Sequence, residues 1–189
     1  VFAGGTCIED IDLQRNDDAF LNAIGADIIP DPTTAGDFLR RFEEKHIVEL
    51  MEIKNEIRQE IWEQQSENFK KEAIINVDGV ICPTTGECKE GIDISYNGQW
   101  GYHPLVISLA NTREPLYIVN RPGNVPSHAN SAEWIDKSLD LVSGTFTKTY
   151  LRGDTDFSLT KKFDKWSQKC IFVFGMDAMP NLVNIANNN

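Results

Sequence analysis

The chain has 189 residues, of which 41% are hydrophobic and 25% are charged, and its formal net charge is −11. This composition is typical of a folded protein with one core, or with a small helical domain beside an α/β domain. No run approaches the roughly 20 consecutive apolar residues that a membrane-spanning helix needs, and no signal-peptide pattern stands at the amino terminus. We therefore expect a cytoplasmic protein without a membrane partner.

The negative charge lies mostly in the first part of the chain. Residues 1–70 carry a net charge of −9, whereas residues 71–189 carry a net charge of −2. A strongly acidic protein is not a general nucleic-acid binder, because such proteins use a basic face to release counterions from phosphates. The nearly neutral second part remains compatible with metal-dependent catalysis on DNA, since a site that binds divalent cations needs local negative charge.

Residues 1–70 have a helical pattern. Residues 30–34 predict a turn that leads into a helix, with Thr34 as the residue that caps its first turn. Apolar residues then recur at near-helical spacing up to about Gln65, namely Phe38, Phe42, Leu50, Ile53, Ile57 and Ile61. Two interpretations of this stripe stay open: packing against a neighbouring domain, and a helix that forms a homodimer.

From residue 73 onward the pattern changes to short apolar runs separated by turns. It predicts five strands, at residues 73–78, 102–110, 115–120, 146–151 and 171–174. The first three strands are expected to form a meander, and amphipathic helices are predicted at residues 131–142 and 158–168. The order βββαβαβ predicts a mixed α/β domain over residues 71–189, preceded by the helical segment 1–70.

Two acidic residues stand just past the ends of predicted strands. Asp78 follows a β-branched run, and Asp154 follows residues 150–153 (YLRG). If these strands are neighbours, about 4.8 Å apart, carboxylates at their tips can share two divalent ions that lie roughly 3.5–4 Å from each other. Oxygen ligands of this kind suit Mg²⁺ or Mn²⁺. A single strand-end aspartate more often caps a turn, so the residues themselves leave both interpretations open.

Several separated blocks of the chain resemble one protein family. Residues 76–124 contain Asp78 and, at 101–105, the block Gly-Tyr-His-Pro-Leu, and residues 151–158 read LRGDTDFS around Asp154. In this order the blocks resemble the transposases of the insertion-sequence-1380 group, within the insertion-sequence-4-like superfamily. Residues 29–42 also resemble the helical lead-in of that family. Separated blocks in the right order are more specific than one short motif.

The resemblance implies a fold, a reaction and a set of site residues. It implies a ribonuclease-H-like catalytic core of the DDE type, in which Asp78 and Asp154 are catalytic and hold Mg²⁺ or Mn²⁺. The implied partner is DNA, as transposon terminal inverted repeats and as target DNA, in the bacterial cytoplasm and with the nucleoid when DNA is bound. Arg121 and Arg152 are candidate phosphate contacts, or else partners in ion pairs at the rim of the site. His103 is a candidate DNA or metal contact, or else a buried, hydrogen-bonded strand residue.

The chain departs from the family pattern near both aspartates. Val80 stands where the family has a threonine, two residues after Asp78. Asp156 stands where the family has a glycine, so it competes with Asp154 for the role of second aspartate. We assign that role to Asp154 and expect the side chain of Asp156 to point away from the site.

The third metal ligand of the family is a glutamate on a helix farther along the chain, and nothing from residue 177 onward matches it. The chain also begins at Val1, without a methionine. We therefore expect a truncated transposase, in which residues 71–189 form a partial catalytic core that lacks the third acidic residue.

Three functions are compatible with these observations. The first is a metal-dependent transposase that cleaves transposon ends and transfers the strand to target DNA, present as a fragment that is inactive alone. The second is an inactive transposase remnant that acts only by association with another protein. The third is an unrelated acidic α/β module for a phosphorylated small molecule. It ranks last, because no glycine-rich phosphate loop follows any predicted strand.

Overall fold

The computed structural model of the chain describes residues 4–86 and 89–188. The chain divides into two compact units, Val1–Glu52 and Ile53–Asn189. In the described part of the chain, no helix is both long and apolar enough to cross a membrane.

The first unit is built from helices. They are α1 (Ile11–Arg15), α2 (Asp18–Ile24), α3 (Pro32–Leu39) and the beginning of α4 (Glu44–Glu63). The cap of α3 is Asp31 and not the predicted Thr34: the Asp31 carboxylate accepts hydrogen bonds from the Thr34 backbone N–H at 3.0 Å and from its hydroxyl at 2.9 Å. Pro32 occupies the first helical position, where a missing N–H costs nothing, so the helix begins earlier than the sequence pattern indicates.

The six side chains of the apolar stripe predicted between residues 38 and 61 are about half exposed. Phe38 lies in α3, Phe42 lies between the two helices, and the other four residues lie in α4. The second half of α4 packs instead through the opposite side, where Asn55 and Trp62 are buried. The Asn55 side chain donates to the Leu116 carbonyl, and Gln59 donates to the Leu141 carbonyl. The predicted packing face was therefore wrong for this half of the helix. Apolarity alone does not reveal a face that docks through amide side chains.

The second unit contains a five-stranded mixed sheet. Its strands are β1 (Glu72–Gly79), β5 (Leu105–Leu109), β6 (Glu114–Val119), β7 (Lys148–Gly153) and β8 (Ile171–Phe174), in the order β6-β5-β1-β7-β8. Strands β1, β5 and β6 form an antiparallel meander, and β1, β7 and β8 run parallel to one another. The predicted meander and the mixed α/β class are confirmed.

A second sheet of three short strands lies in the chain between β1 and β5. Its strands are β2 (Cys82–Pro83), β3 (Asp93–Ile94) and β4 (Trp100–Tyr102), in the order β2-β4-β3. The sequence predicts one continuous strand over residues 102–110, but the structure divides it at His103 and Pro104. Pro104 has no N–H for a strand ladder, so the chain leaves the small sheet and enters the large one at this point.

The core lies on one face of the five-stranded sheet. Side chains alternate along β1, so that Ala73, Ile75 and Val77 are buried whereas Asp78 is exposed on the other face. Helix α5 (Ser131–Ser143) packs against β1, β5, β6 and β7 and buries its own apolar side. The functional residues predicted at the strand ends therefore rest on a rigid, well-packed support.

The predicted helix at residues 158–168 is replaced by shorter pieces. The chain forms 3₁₀ helices at Thr155–Phe157 and Thr160–Lys162, then the short helix α6 (Phe163–Trp166); α7 (Pro180–Asn187) follows β8. Phe157 and Trp166 are both completely buried. Phe157 stands just before the predicted helix, and Trp166 lies within it. The segment buries both rings while its backbone is divided into short pieces.

Candidate active site

The sheet register brings together the two aspartates singled out from the sequence. Strand β1 pairs with the parallel strand β7, with Val77 opposite Gly153. The next residues along the two strands are Asp78 and Asp154, so both stand at the same edge of the sheet. Neighbouring strands lie about 4.8 Å apart, which places the backbones that carry the two exposed carboxylates side by side.

Each aspartate adjoins a glycine, and a larger residue at either glycine position would displace neighbouring side chains. A Cβ on Gly79 would lie 2.6 Å from His103 Nε2, and a Cβ on Gly153 would lie 2.7 Å from Val77 Cγ1. Both glycines thus permit close packing directly beside the candidate carboxylates. The sequence shows these glycines, but their neighbours come from other parts of the chain and are not visible in it.

The carboxylate of Asp154 also has a local structural role. It caps the 3₁₀ helix Thr155–Phe157, because its Oδ1 accepts a hydrogen bond from the Asp156 backbone N–H at 3.0 Å. Capping fixes the direction of the side chain. The turn-capping and site interpretations of Asp154 are therefore compatible with each other.

A polar cleft of about 370 Å³ lies at this edge of the sheet. Its walls are formed by Gly79, Ile81, Tyr96, His103, Ser127, Asp154, Thr155 and Asp156. Asp156 borders the same cleft as Asp154, so the prediction that its side chain points away from the site is wrong. Asp78 directly precedes Gly79 at the cleft wall. Ser127 carries no signal in the sequence, because it belongs to a loop without periodic pattern.

His103 is buried, at 3% exposure, and lines the cleft. Its Nδ1 lies 2.8 Å from the carbonyl oxygen of Val125. A carbonyl oxygen only accepts, so Nδ1 carries the proton of this hydrogen bond. In the neutral ring, Nε2 then has a free lone pair. Nε2 lies on the side of the ring that faces Gly79.

Arg121 is also buried, at 7% exposure. Its Nε donates to the His103 carbonyl at 3.0 Å, and its Nη1 donates to the carbonyls of Ser127 at 2.9 Å and Ala129 at 3.0 Å. Burial lowers the pKa of this guanidinium from its usual value. The donors Nε and Nη1 are therefore engaged inside the protein.

Arg152 is exposed, in contrast to Arg121. It lies in β7 opposite Asn76 of β1, and its Nε donates to Asn76 Oδ1. Asn76 precedes Asp78 by two residues, so its side chain and that of Asp78 are on the same face of the sheet. The structure thus places an exposed cation on the same sheet face as Asp78.

The site fits a divalent cation only in part. Mg²⁺ is usually held by one or two carboxylates together with waters and substrate phosphates, and the carboxylates of Asp78 and Asp154 match that requirement in type and number. Within residues 4–86 and 89–188, no group of three or more His, Cys, Asp or Glu side chains is arranged to hold a metal ion. A third protein ligand therefore does not join the two aspartates in the described part of the chain.

A second cavity, of about 430 Å³, lies in the first unit and is mostly apolar. The carboxylate that lines it belongs to Asp10, which accepts hydrogen bonds from the backbone N–H groups of Thr6 and Cys7. These bonds hold the pKa of Asp10 below its usual value. The cavity has a satisfied structural carboxylate and no paired acidic groups, so the cleft at the sheet edge is the better candidate site.

A mixed α/β domain with two aspartates at the ends of parallel strands is typical of enzymes that cleave phosphodiesters with bound metal ions. A family model described as transposase DDE domain group 1 matches residues 1–188. The chain belongs to this family of DDE transposase domains, which confirms the resemblance to DDE transposases at the family level. Comparisons with curated proteins and with solved structures found no match.

Proposed function

We propose that this chain is the catalytic part of a DNA transposase of the insertion-sequence-1380 group, which cleaves transposon ends and transfers the freed strand to target DNA. The observation that carries the proposal is the pairing of Asp78 with Asp154 at parallel strand ends, in a chain of the DDE family. The strand order β6-β5-β1-β7-β8, antiparallel on one side of β1 and parallel on the other, supports the ribonuclease-H-like core that the resemblance implies.

Asp78 and Asp154 would hold Mg²⁺ or Mn²⁺ in this proposal. When bound, the ion supplies Lewis acidity that activates a water molecule and stabilises the leaving oxygen of the phosphodiester. The exposed carboxylates stand where DNA can reach them from solvent. The cap formed by Asp154 fixes its orientation before substrate binds, which lowers the entropic cost of assembling the site.

The DNA contacts belong to the second unit in this proposal. Residues 1–70 carry a net charge of −9 and repel phosphates, whereas residues 71–189 are nearly neutral. Arg152 offers its guanidinium on the exposed face of the sheet that also carries Asp78. A DNA phosphate bound by Arg152 would lie beside the strand ends, where the reaction takes place. The bacterial cytoplasm, with its nucleoid, is the corresponding place of action.

A second candidate function is an inactive transposase remnant that acts only by association with another protein. The observation that favours it is the lack of a third ligand beside Asp78 and Asp154 in the described part of the chain. With two carboxylates the second ion is poorly fixed, and a loss of about 4 kcal/mol of transition-state stabilisation slows the reaction roughly a thousandfold. We therefore expect this chain alone to bind Mn²⁺ weakly and to show no detectable cleavage.

Measurements of Mn²⁺ binding and of the cleavage of a labelled transposon end distinguish the two candidate functions. A protein in which the chain continues to a downstream glutamate is expected to cleave the end in Mg²⁺ or Mn²⁺. Asp78→Asn and Asp154→Asn should each weaken Mn²⁺ binding and abolish cleavage, whereas Asp164→Asn, at an exposed position of α6, should change neither.

The outcomes have distinct meanings. Mn²⁺ binding that both active-site variants leave unaltered would contradict the proposed site. Normal Mn²⁺ binding without cleavage in the extended protein would favour the inactive remnant. Cleavage by residues 1–189 alone would show that another side chain supplies the third ligand.

A further inference from the structure

Arg121 is a buried cation whose role the proposed reaction does not explain. Its side chain is inside the protein, and in the described part of the chain Nη2 is buried without a hydrogen-bond partner. Burying a charged group costs free energy unless its donors are satisfied. The contacts that Arg121 does make therefore indicate its role.

All of these contacts are made to backbone carbonyls of two neighbouring segments. Nη1 donates to Pro126, Ser127 and Ala129 of the loop that follows β6, at 3.4, 2.9 and 3.0 Å. Nε donates to the carbonyl of His103, and the backbone N–H of His103 donates to the Arg121 carbonyl at 2.8 Å. One guanidinium thus ties the loop to the peptide of His103.

The two segments held by Arg121 supply one wall of the cleft. His103 and Ser127 both line it, and His103 Nδ1 bonds to the Val125 carbonyl of the same loop. A Cβ on Gly79 would meet His103 Nε2 at 2.6 Å and Ser127 Oγ at 3.1 Å, so these two atoms lie together beside the end of β1. Asp154 forms another part of the cleft wall.

We propose that Arg121 is a positioning residue, which holds His103 Nε2 and Ser127 Oγ in the cleft beside Asp154, where the Nε2 lone pair accepts a hydrogen bond from a water molecule beside the phosphodiester and the Ser127 hydroxyl donates to a phosphodiester oxygen of the substrate. The proposal rests on the proposed function for the identity of the substrate. The positioning of the two groups by Arg121 does not depend on it. This role differs from the direct phosphate contact that the sequence indicates for Arg121.

Arginine suits this role because its donors form a rigid, planar fork. A lysine at position 121 would keep the positive charge but would present three donors on one nitrogen. It would not reach the carbonyls of both segments at once. Arg121→Lys therefore separates positioning from charge: a purely electrostatic role survives the substitution, whereas positioning is lost.

The first measurement is the ¹H–¹⁵N spectrum of the histidine rings in the full chain. In the wild type, His103 should show a single tautomer with the proton on Nδ1. Arg121→Lys should produce averaging between the two tautomers, because the loop no longer holds the Val125 carbonyl in place. Arg58→Lys is the matched control: Arg58 also donates to a backbone carbonyl, that of Pro115, but does not line the cleft. It should leave the His103 signals unchanged.

The second measurement is cleavage of a labelled transposon end by the active, extended protein. Arg121→Lys should lower the rate about a hundredfold, the effect typical of a misplacement of about 1 Å at a reacting centre, whereas Arg58→Lys should not. Ser127→Ala keeps the carbonyl that Arg121 contacts, so its fold and the His103 tautomer should persist. Loss of the hydroxyl should slow cleavage roughly fivefold to tenfold.

Each result bears on one proposal. Wild-type His103 signals in Arg121→Lys, or full cleavage by Arg121→Lys, would overturn the positioning role. Unchanged cleavage in Ser127→Ala would overturn the substrate contact, and it remains measurable if Arg121→Lys does not fold. Failure of the wild-type extended protein to cleave would contradict the proposed function, while the histidine spectra would still decide whether Arg121 positions the loop.

Discussion

Replacing Gly79 with alanine adds one methyl group between the end of β1 and the ring of His103. The new Cβ would lie 2.6 Å from His103 Nε2, 3.1 Å from Ser127 Oγ and 3.3 Å from His103 Cε1. Carbon and nitrogen atoms in van der Waals contact are roughly 3.5 Å apart, so the ring must move by about 1 Å. The backbone of Gly79 is fixed by its pairing with Leu105 of β5, which leaves the ring as the part that moves.

The ring of His103 is not free to move without cost. It is almost completely buried, and its Nδ1 bonds to the Val125 carbonyl at 2.8 Å. Overpacking of a buried site by one methyl group typically costs about 1–3 kcal/mol, and a lost hydrogen bond costs about 1 kcal/mol. We expect Gly79→Ala to lower the free energy of unfolding by about 2–4 kcal/mol.

Urea unfolding followed by tryptophan fluorescence measures this change, since Trp62 and Trp166 are buried in the second unit. The unfolding midpoint should fall while the slope stays the same. Gly144→Ala is the control, because a Cβ there would find its nearest neighbour, Gln59 Nε2, at 4.0 Å, and φ is −71°. That variant should be neutral or about 0.4–1 kcal/mol more stable. If Gly79→Ala were as stable as Gly144→Ala, the close packing of His103 on β1 would be refuted.

Two further predictions concern ionisable groups. Burial would raise the pKa of Glu114, but hydrogen bonds from Thr112, Trp62 and Arg58 outweigh it, so the pKa lies below its usual 4.5. A lowered carboxylate pKa stabilises the fold above the unfolded-state pKa and loses that effect as the pH falls through the folded value. Glu114→Gln should thus cost roughly 1–2 kcal/mol at pH 7 and progressively less below pH 4.5, measured by urea unfolding; a constant difference would contradict this. Burial raises the pKa of Cys170 to about 11, so a maleimide reagent at pH 7 should label the exposed thiols of Cys7 and Cys82 but spare Cys170 in the folded chain.

The strands of the large sheet were predicted well because their signals are local. The apolar run at residues 73–78 and the turn at residues 111–114 each contain the information that their structure needs. The helix predicted at residues 158–168 was wrong for a non-local reason. Trp166 is completely buried and Phe163 packs against Phe172 and Phe174 of β8, so the course of the segment depends on a strand elsewhere in the chain. The same limit applies to α4, whose buried face is set by carbonyls of strand β6 and helix α5.

Some residues of the candidate site were indicated by the sequence, and others were not. Asp78 and Asp154 were selected as candidates because both follow predicted strands and stand in blocks that resemble the family, and the parallel pairing of β1 with β7 brings the two strand ends together. Ser127 was missed, because its loop has no periodic pattern and is held at the cleft by contacts with Arg121 and His103. Arg121 itself was interpreted as a phosphate contact, since its partners are peptide carbonyls that no side-chain pattern reveals.

The acidity of the chain and its proposed DNA substrate can be reconciled at the strand ends. Asp78, Asp154 and Asp156 concentrate negative charge at one edge of the sheet, and Arg152 is the cation that the structure places on the same sheet face as Asp78. In the proposed transposase, this edge without a divalent ion would repel the phosphate of the substrate. A bound ion would supply positive charge there, so the cleft would accept a phosphodiester only when the ion that activates the reaction is present. In the proposed transposase, the net charge of the chain then weakens binding to DNA in general and favours binding at the metal-loaded site.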